Sequence, residues 1–164
     1  MKRIVLIRHA KSSWKNPSLT DFDRPLNKRG KQNAPVMGKR LAEQKITPGT
    51  IISSPAKRAI ETAKIIANKT DFPKKKIIQN EQLYLADVES LLDIIHFIDE
   101  KHKIAFLVGH NPGMTMLANY LSNADIDNIP TCGIFCIDFA IKFWKEVEEG
   151  KGKFIFFDYP KKGL

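Results

Sequence analysis

Two arginines and two histidines stand where chemistry is easiest to build: Arg8 and His9 after an aliphatic run, Arg58 after Ser54-Pro55, and His110 after a second apolar run. In open α/β sheets, ligands bind beyond the carboxyl ends of the strands, and each of these residues follows such an end. Arg8 comes directly after Ile4–Ile7. A guanidinium at the end of a buried strand is costly to desolvate unless an internal or bound anion meets it. Arg58 and Lys57 fall in the first turn of a helix, where the partial positive charge favours acidic side chains. Arg58 reads either as a residue paired with Glu61 or solvated, or as one half of an anion site, because helix N-termini and guanidinium forks both favour phosphate. His9 on its own reads as an ordinary loop histidine. Beside Arg8 its pKa falls, and a neutral imidazole is a competent nucleophile toward phosphorus. His110, before a helix start, would join the arginines as a protonated imidazole around phosphate oxygens. A phosphoryl group in transfer spreads charge over its equatorial oxygens, so it needs several rigid donors and one in-line nucleophile. This set supplies both.

Other chemistries find less support. His9 and His110 lack carboxylate or thiolate partners at metal-ligand spacing, so no metal and no other cofactor is expected. His96 and His102, on or after an amphipathic stretch, read as surface residues. No Walker-type loop, Gly-x-Ser-x-Gly elbow or Gly-x-Gly-x-x-Gly fingerprint is present, which removes the usual nucleotide, esterase and dinucleotide readings. The net charge of +9, from 27 Lys and Arg against 18 Asp and Glu, attracts anions in general. The lysines are scattered and not interleaved with aromatics, so nucleic acid is not an expected partner. Cys132 and Cys136 lie four apart in an apolar run, where a strand would direct both to one side as reduced core residues. A reducing cytoplasm follows as the expected compartment. The apolar run at Ile4–Ile7 is too short for a signal-peptide core or a membrane span, so no membrane association is expected.

The elements that must position these residues alternate between strand and helix, the pattern of a mostly parallel sheet covered on both faces. Strands are expected at Lys2–Ile7, Gly49–Ser53, near Ile77 and at Ile104–Val108. A loop from Arg8 to Asn27 holds Asp21, Phe22, Asp23 and Arg24, and a helix then runs to about Gln44. Ser54 as cap and Pro55 as first helical residue would open a helix to about Lys69. Val88–Lys101 has helical spacing. Gly109-His110-Asn111-Pro112-Gly113 repeats the cap-then-Pro design before a helix to about Leu121. Gly133–Phe139 and Lys153–Tyr159 read as an antiparallel edge hairpin. With no repeat, low-complexity tract or long linker, residues 1–164 are expected to form a single domain.

Leu6-Ile7-Arg8-His9-Ala10-Lys11-Ser12 resembles the Arg-His-Gly signature of the histidine phosphatase superfamily, the phosphoglycerate-mutase-like fold, with Ala10 in place of the usual Gly. The resemblance continues through Arg24-Pro25-Leu26-Asn27-Lys28-Arg29-Gly30, the Ser53–Ala63 block and Val108-Gly109-His110-Asn111-Pro112. The short chain with Asp23-Arg24-Pro25-Leu26 looks most like the SixA-type phosphohistidine phosphatases. The resemblance implies a three-layer αβα sandwich with a mostly parallel sheet and antiparallel C-terminal edge strands. It implies His9 as the phosphorylated nucleophile, with Arg8, Arg58 and His110 forming the phosphate pocket. Glu81 is its approximate match to the acid that ester-hydrolysing members place after the third strand, although Gln82 competes for the aligned position. Ser12 and Asn111 would donate hydrogen bonds to substrate, or serve only as a loop hydroxyl and a helix cap.

The expected activity is therefore a metal-independent phosphatase acting on phosphohistidine through a covalent phosphohistidine on His9. The alternatives are a small-molecule phosphomonoesterase of the same fold and a phosphate-binding module without turnover. The expected partner is a phosphorylated protein or a small phosphorylated substrate. With no long insertion to form a lid, an open site suits a protein side chain. The sequence carries no signal for oligomeric state.

Overall fold

In the computed structural model, which describes residues 1–163, the elements follow in the order β1 (Lys2–Arg8), α1 (Lys28–Glu43), β2 (Thr50–Ser53), α2 (Lys57–Lys69), β3 (Ile78–Gln79), α3 (Val88–His96), β4 (Ile104–Gly109), α4 (Gly113–Ser122), β5 (Ile134–Phe139) and β6 (Lys153–Asp158). One sheet contains all the strands in the order β3-β2-β4-β1-β5-β6. β1 to β4 pair in parallel, whereas β5 runs antiparallel to β1 and β6 antiparallel to β5. This is a mostly parallel sheet with an antiparallel hairpin at one edge.

Successive side chains of a strand face opposite sides, and β1 shows the consequence. Ile4 and Leu6 enter a core with Leu91, Ile95, Leu117 and Leu121 of α3 and α4. Val5 and Ile7 enter a second core with Ala34, Met37, Ala63 and Ile66 of α1 and α2. A strand buried on both faces must be apolar throughout, as Ile4–Ile7 is.

Register, more than any single element, sets up the site. Arg8 pairs with Gly109, and Ser53 of β2 pairs with Val108. The parallel strands β1, β2 and β4 thus end at one level, and the residues that follow them leave the sheet side by side.

The boundaries differ from expectation in instructive ways. α2 starts at Lys57 with Ala56 in the cap position; the Ser54 hydroxyl instead accepts from the Ala56 N–H at 3.2 Å. α4 starts at Gly113 with Pro112 in the cap position, and Asn111 Oδ1 accepts from the Thr115 N–H and hydroxyl. α3 stops at His96, with Phe97 as its cap, and a turn in which Asp99 Oδ1 accepts from the Lys101 N–H takes over. Cys132 lies before β5, not in it, and its φ of +61° is in the left-handed region. Cys132 and Cys136 are both buried and unpaired with one another, in the α1–α2 core. No helix of the described residues is long and apolar enough to cross a membrane.

Candidate active site

At the end of β1 the backbone is held from three sides. The His9 N–H donates to the Gly109 carbonyl at 3.0 Å, and the Cys132 N–H donates to the Arg8 and His9 carbonyls at 3.1 and 3.0 Å. The Ala10 N–H donates to Thr62 Oγ1 at 3.0 Å, and that hydroxyl donates to the Arg58 carbonyl at 2.8 Å. Thr62 stands one turn after Arg58, so both lie on the face of α2 turned to the nucleophile. A residue in left-handed backbone costs on the order of 1 kcal/mol. At Cys132 that conformation coincides with the donor that fixes His9.

The side chains of His9, Arg58 and His110 meet here, and the Arg8 guanidinium is near enough for its charge to act on both imidazoles. His9 Nδ1 lies 2.7 Å from the Ala10 carbonyl. A carbonyl only accepts, so Nδ1 carries the proton and Nε2 keeps its lone pair. Arg58 Nε–H points at that lone pair from 3.4 Å. Arg58 Nη2 lies 3.3 Å from His110 Nδ1; a guanidinium only donates, so His110 Nδ1 accepts. Its Nε2 then donates to Ser54 Oγ at 2.8 Å. The two imidazole rings lie 5.2 Å apart.

Burial lowers the pKa of His9 to about 4, with the charges of Arg58, Arg8 and Arg24 adding to the effect. Burial likewise lowers His110 to about 3, helped by His9 and Arg58. His110 is therefore neutral in this arrangement, in contrast to the protonated imidazole expected from its place before a helix. Desolvation and the charges of Arg58 and Arg8 outweigh any benefit of charge.

Arg8 brings the least satisfied side chain. Its Nη1 donates to the Ile129 carbonyl at 2.9 Å, while Nε is buried with no hydrogen-bond partner among the described residues. Burial lowers its pKa.

Arg58 pairs with Asp21 and not with Glu61. Its Nη1 donates to the Asp21 carbonyl at 2.6 Å and its Nη2 to Asp21 Oδ2 at 3.0 Å. Glu61 instead accepts from the Leu26 N–H. Arg24 bonds the other oxygen of Asp21 through Nε and Nη2, and the Tyr84 hydroxyl donates to Oδ2. Burial opposes the charge on Asp21, but the hydrogen bonds from Tyr84, Arg24 and Arg58 prevail and hold the carboxyl well below the usual carboxylate range. The Asp21 side chain is 42% exposed against 3% for Arg58, so Asp21 marks the solvent side of the cluster. Tyr84 packs edge-on against His110, with ring centroids 5.3 Å apart.

The remaining sequence candidates stand apart from these four. Ser12 Oγ accepts from Arg24 Nη1 at 2.6 Å, and Trp14 stacks on that guanidinium at 3.5 Å. Asn111 Nδ2 donates to Asn128 Oδ1 and to the same Ile129 carbonyl that holds Arg8. With its Oδ1 on Thr115, Asn111 ties the loop beneath Arg8. Glu81 is exposed on a short 3-10 turn, and makes none of the contacts that join the other residues. Asp21, Arg24, Ser54, Thr62 and Tyr84 were not among the sequence candidates. Thr62 carried a local signal in its one-turn spacing from Arg58, and Ser54 in its place at the end of β2; Asp21, Arg24 and Tyr84 meet the site through loops.

A neutral imidazole with an unprotonated Nε2, with two arginines and a second imidazole near it, can accept a phosphoryl group and hold its oxygens. Among the described residues no three His, Cys, Asp or Glu side chains gather as metal ligands would.

Comparison with known proteins agrees in fold and in sequence. Residues 4–84 match the model of the histidine phosphatase superfamily (branch 1). An uncharacterised chloroplastic protein of Arabidopsis thaliana is 31% identical over 153 residues, 88% of this chain and 70% of that protein. Phosphoglycerate mutase 1 of Saccharomyces cerevisiae is 37% identical over 73 residues, but these make up 43% of this chain and 30% of the mutase. A crystal structure from Agrobacterium tumefaciens, assigned to the SixA phosphohistidine phosphatases, superimposes with a TM-score of 0.81 at 27% identity, covering 97% of this chain and 98% of that one. By its strand order, its Arg-His motif at the end of β1 and these matches, the chain belongs to the histidine phosphatase superfamily.

Proposed function

We propose that this protein is a phosphohistidine phosphatase that hydrolyses its substrate in two steps through a phosphoryl group on His9 Nε2. The observation that carries the reading is Arg8: a guanidinium whose Nε is buried without a partner among the described residues, next in the chain to an imidazole whose tautomer directs its lone pair toward Arg58. Phosphate oxygens supply the acceptors that the protein does not. In the first step the Nε2 lone pair of His9 forms a P–N bond as the substrate's bond to phosphorus breaks, its electron pair leaving with the substrate. Water then attacks phosphorus and returns His9 to its neutral form, releasing phosphate. Arg8, Arg58 and His110 hold the oxygens in both steps.

Phosphohistidine is favoured over phosphate esters by the absence of a suitably held acid. Glu81 is exposed outside the cluster. The carboxylate at the mouth, Asp21, is held ionised by three donors, so it has no proton to give an alkoxide. A phosphohistidine whose other ring nitrogen carries a proton leaves as neutral imidazole without that help. The half-exposed mouth around Asp21 suits a protein side chain better than an enclosed metabolite. We further propose that residues 1–164 act as one domain, without a metal. Two buried, unpaired thiols fit a reducing cytoplasm.

The test is kcat/KM for a phosphohistidine peptide beside phosphoserine and sugar phosphates, with and without chelator, together with trapping of labelled phosphate. The expected result is preference for phosphohistidine, label on His9, and neither label nor turnover in a folded His9→Ala variant. Normal turnover in that variant overturns the mechanism. A preference for sugar phosphates makes the protein a phosphomonoesterase, and label-free binding without turnover makes it a binding module.

A further inference from the structure

A second cluster of cations lies on the α1 side of the β1 end, outside the four-residue site. Lys11, Arg29 and Lys161, with Asn33, Thr131 and Tyr159, line a cavity of about 250 Å³. None of the three cations makes an ion pair among the described residues, and no carboxylate lines the cavity. Its walls are fixed. Arg40 donates to the Asp158 carboxylate and to the Tyr159 and Pro160 carbonyls, pinning the segment that carries Lys161. On the other side, a Cβ on Gly30 would come within 2.2 Å of the Lys11 carbonyl oxygen, so the absence of a side chain lets α1 press Arg29 and Lys11 together. Thr131 is next to Cys132, whose N–H holds the His9 carbonyl.

Cations that line one concavity with no ion-pair partner among the described residues favour an anion there. Position then decides the source of the anion. Lys11 follows His9 by two residues, so their Cα atoms are at most about 7 Å apart. Through Lys11 and Thr131 the cavity therefore adjoins the backbone that carries His9, within reach of an extended substrate phosphorylated there. An extended peptide advances about 3.3 Å per residue, which puts a side chain roughly two to four residues from the phosphohistidine at the cavity.

We propose that Lys11, Arg29 and Lys161 form a recognition subsite for an Asp or Glu side chain flanking the phosphohistidine of a protein substrate. The inference rests on the phosphohistidine reading above. It assigns selection to charge outside the chemical site, where it strengthens binding without altering the nucleophile.

The experiment compares a phosphohistidine peptide flanked by Asp and Glu with the same peptide carrying Asn and Gln, and with p-nitrophenyl phosphate, in wild type and in an Arg29→Gln/Lys161→Gln variant. Wild type is expected to favour the acidic peptide about tenfold, chiefly through KM, and the preference is expected to weaken with added salt. The variant is expected to lose that preference while keeping kcat and its p-nitrophenyl phosphate activity. Equal preference in variant and wild type, or loss of p-nitrophenyl phosphate turnover in a folded variant, overturns the subsite. If free acetate restores the neutral peptide to the rate of the acidic one, the site serves a free anion, and the substrate assignment falls. If neither peptide is turned over while the ester is, the phosphohistidine reading fails, and the subsite fails with it.

Discussion

The two imidazoles of the site hold opposite tautomers because each faces a partner with only one hydrogen-bonding role: a carbonyl for His9 Nδ1 and a guanidinium for His110 Nδ1. Arg58 links them, and its own charge is met by Asp21. Read from the chain alone, a first-turn arginine opposes the helix dipole, and its loss is expected to leave stability equal or slightly raised. With Asp21 in place the expectation changes. Arg58→Ala should lower kcat/KM about 10²-fold, as losing one preorganised donor does. It should also cost about 1 to 2 kcal/mol, because a nearly buried partner of a half-exposed carboxylate is removed. Urea unfolding beside turnover of a phosphohistidine peptide checks both, and full activity in the variant would remove Arg58 from the pocket.

At the scale of elements, parallel register brings His9 and His110 out at one level, and α2 then reaches across with Thr62. This hydroxyl satisfies the buried Ala10 N–H and so fixes the residue after the nucleophile. Thr62→Val keeps the volume and removes the acceptor. The expected loss is about 1 to 3 kcal/mol, the cost of leaving a buried N–H unpaired, with kcat falling more than KM changes because the His9 backbone loses one of its restraints. An unchanged melting temperature together with an unchanged kcat would show that α2 contributes Arg58 alone.

Across the whole molecule, two cores share one sheet, and β1 belongs to both, so the protein is expected to unfold in a single transition. The buried imidazoles give that transition a pH dependence. With His9 near 4 and His110 near 3 in the fold, against about 6.5 when unfolded, the unfolded chain takes up protons that the native state refuses. Their contribution is fully present above pH 6.5 and is lost as pH falls toward 4, by roughly 2 to 3 kcal/mol for each imidazole. Urea midpoints at pH 7.5 and pH 4.5 should differ far more in wild type than in a His9→Gln/His110→Gln variant. Equal shifts in both would mean that carboxylates carry the effect, and two separate transitions would divide the chain into domains.

The sequence by itself determined the alternation of strand and helix and the residues at the strand ends, because side-chain period and strand-end position are local properties of the chain. Arg8, His9, Arg58 and His110 were legible as residues that follow strand ends for that reason, and the structure puts His9, Arg58 and His110 in contact, with the charge of Arg8 acting on both imidazoles. Only the tertiary structure decided what surrounds them. Asp21 meets Arg58 across 37 positions, and Tyr84 meets Asp21 across 63; no periodicity encodes such pairings, which depend on how loops close over the sheet. The neutral state of His110 was equally hidden, since desolvation is a property of the assembled cluster and not of the residue or its helix. Asn111 and Ser12 were visible as polar residues near the motif, but whether a short polar side chain meets substrate or its own loop is settled by backbone direction. In both cases the chain turns them onto protein partners.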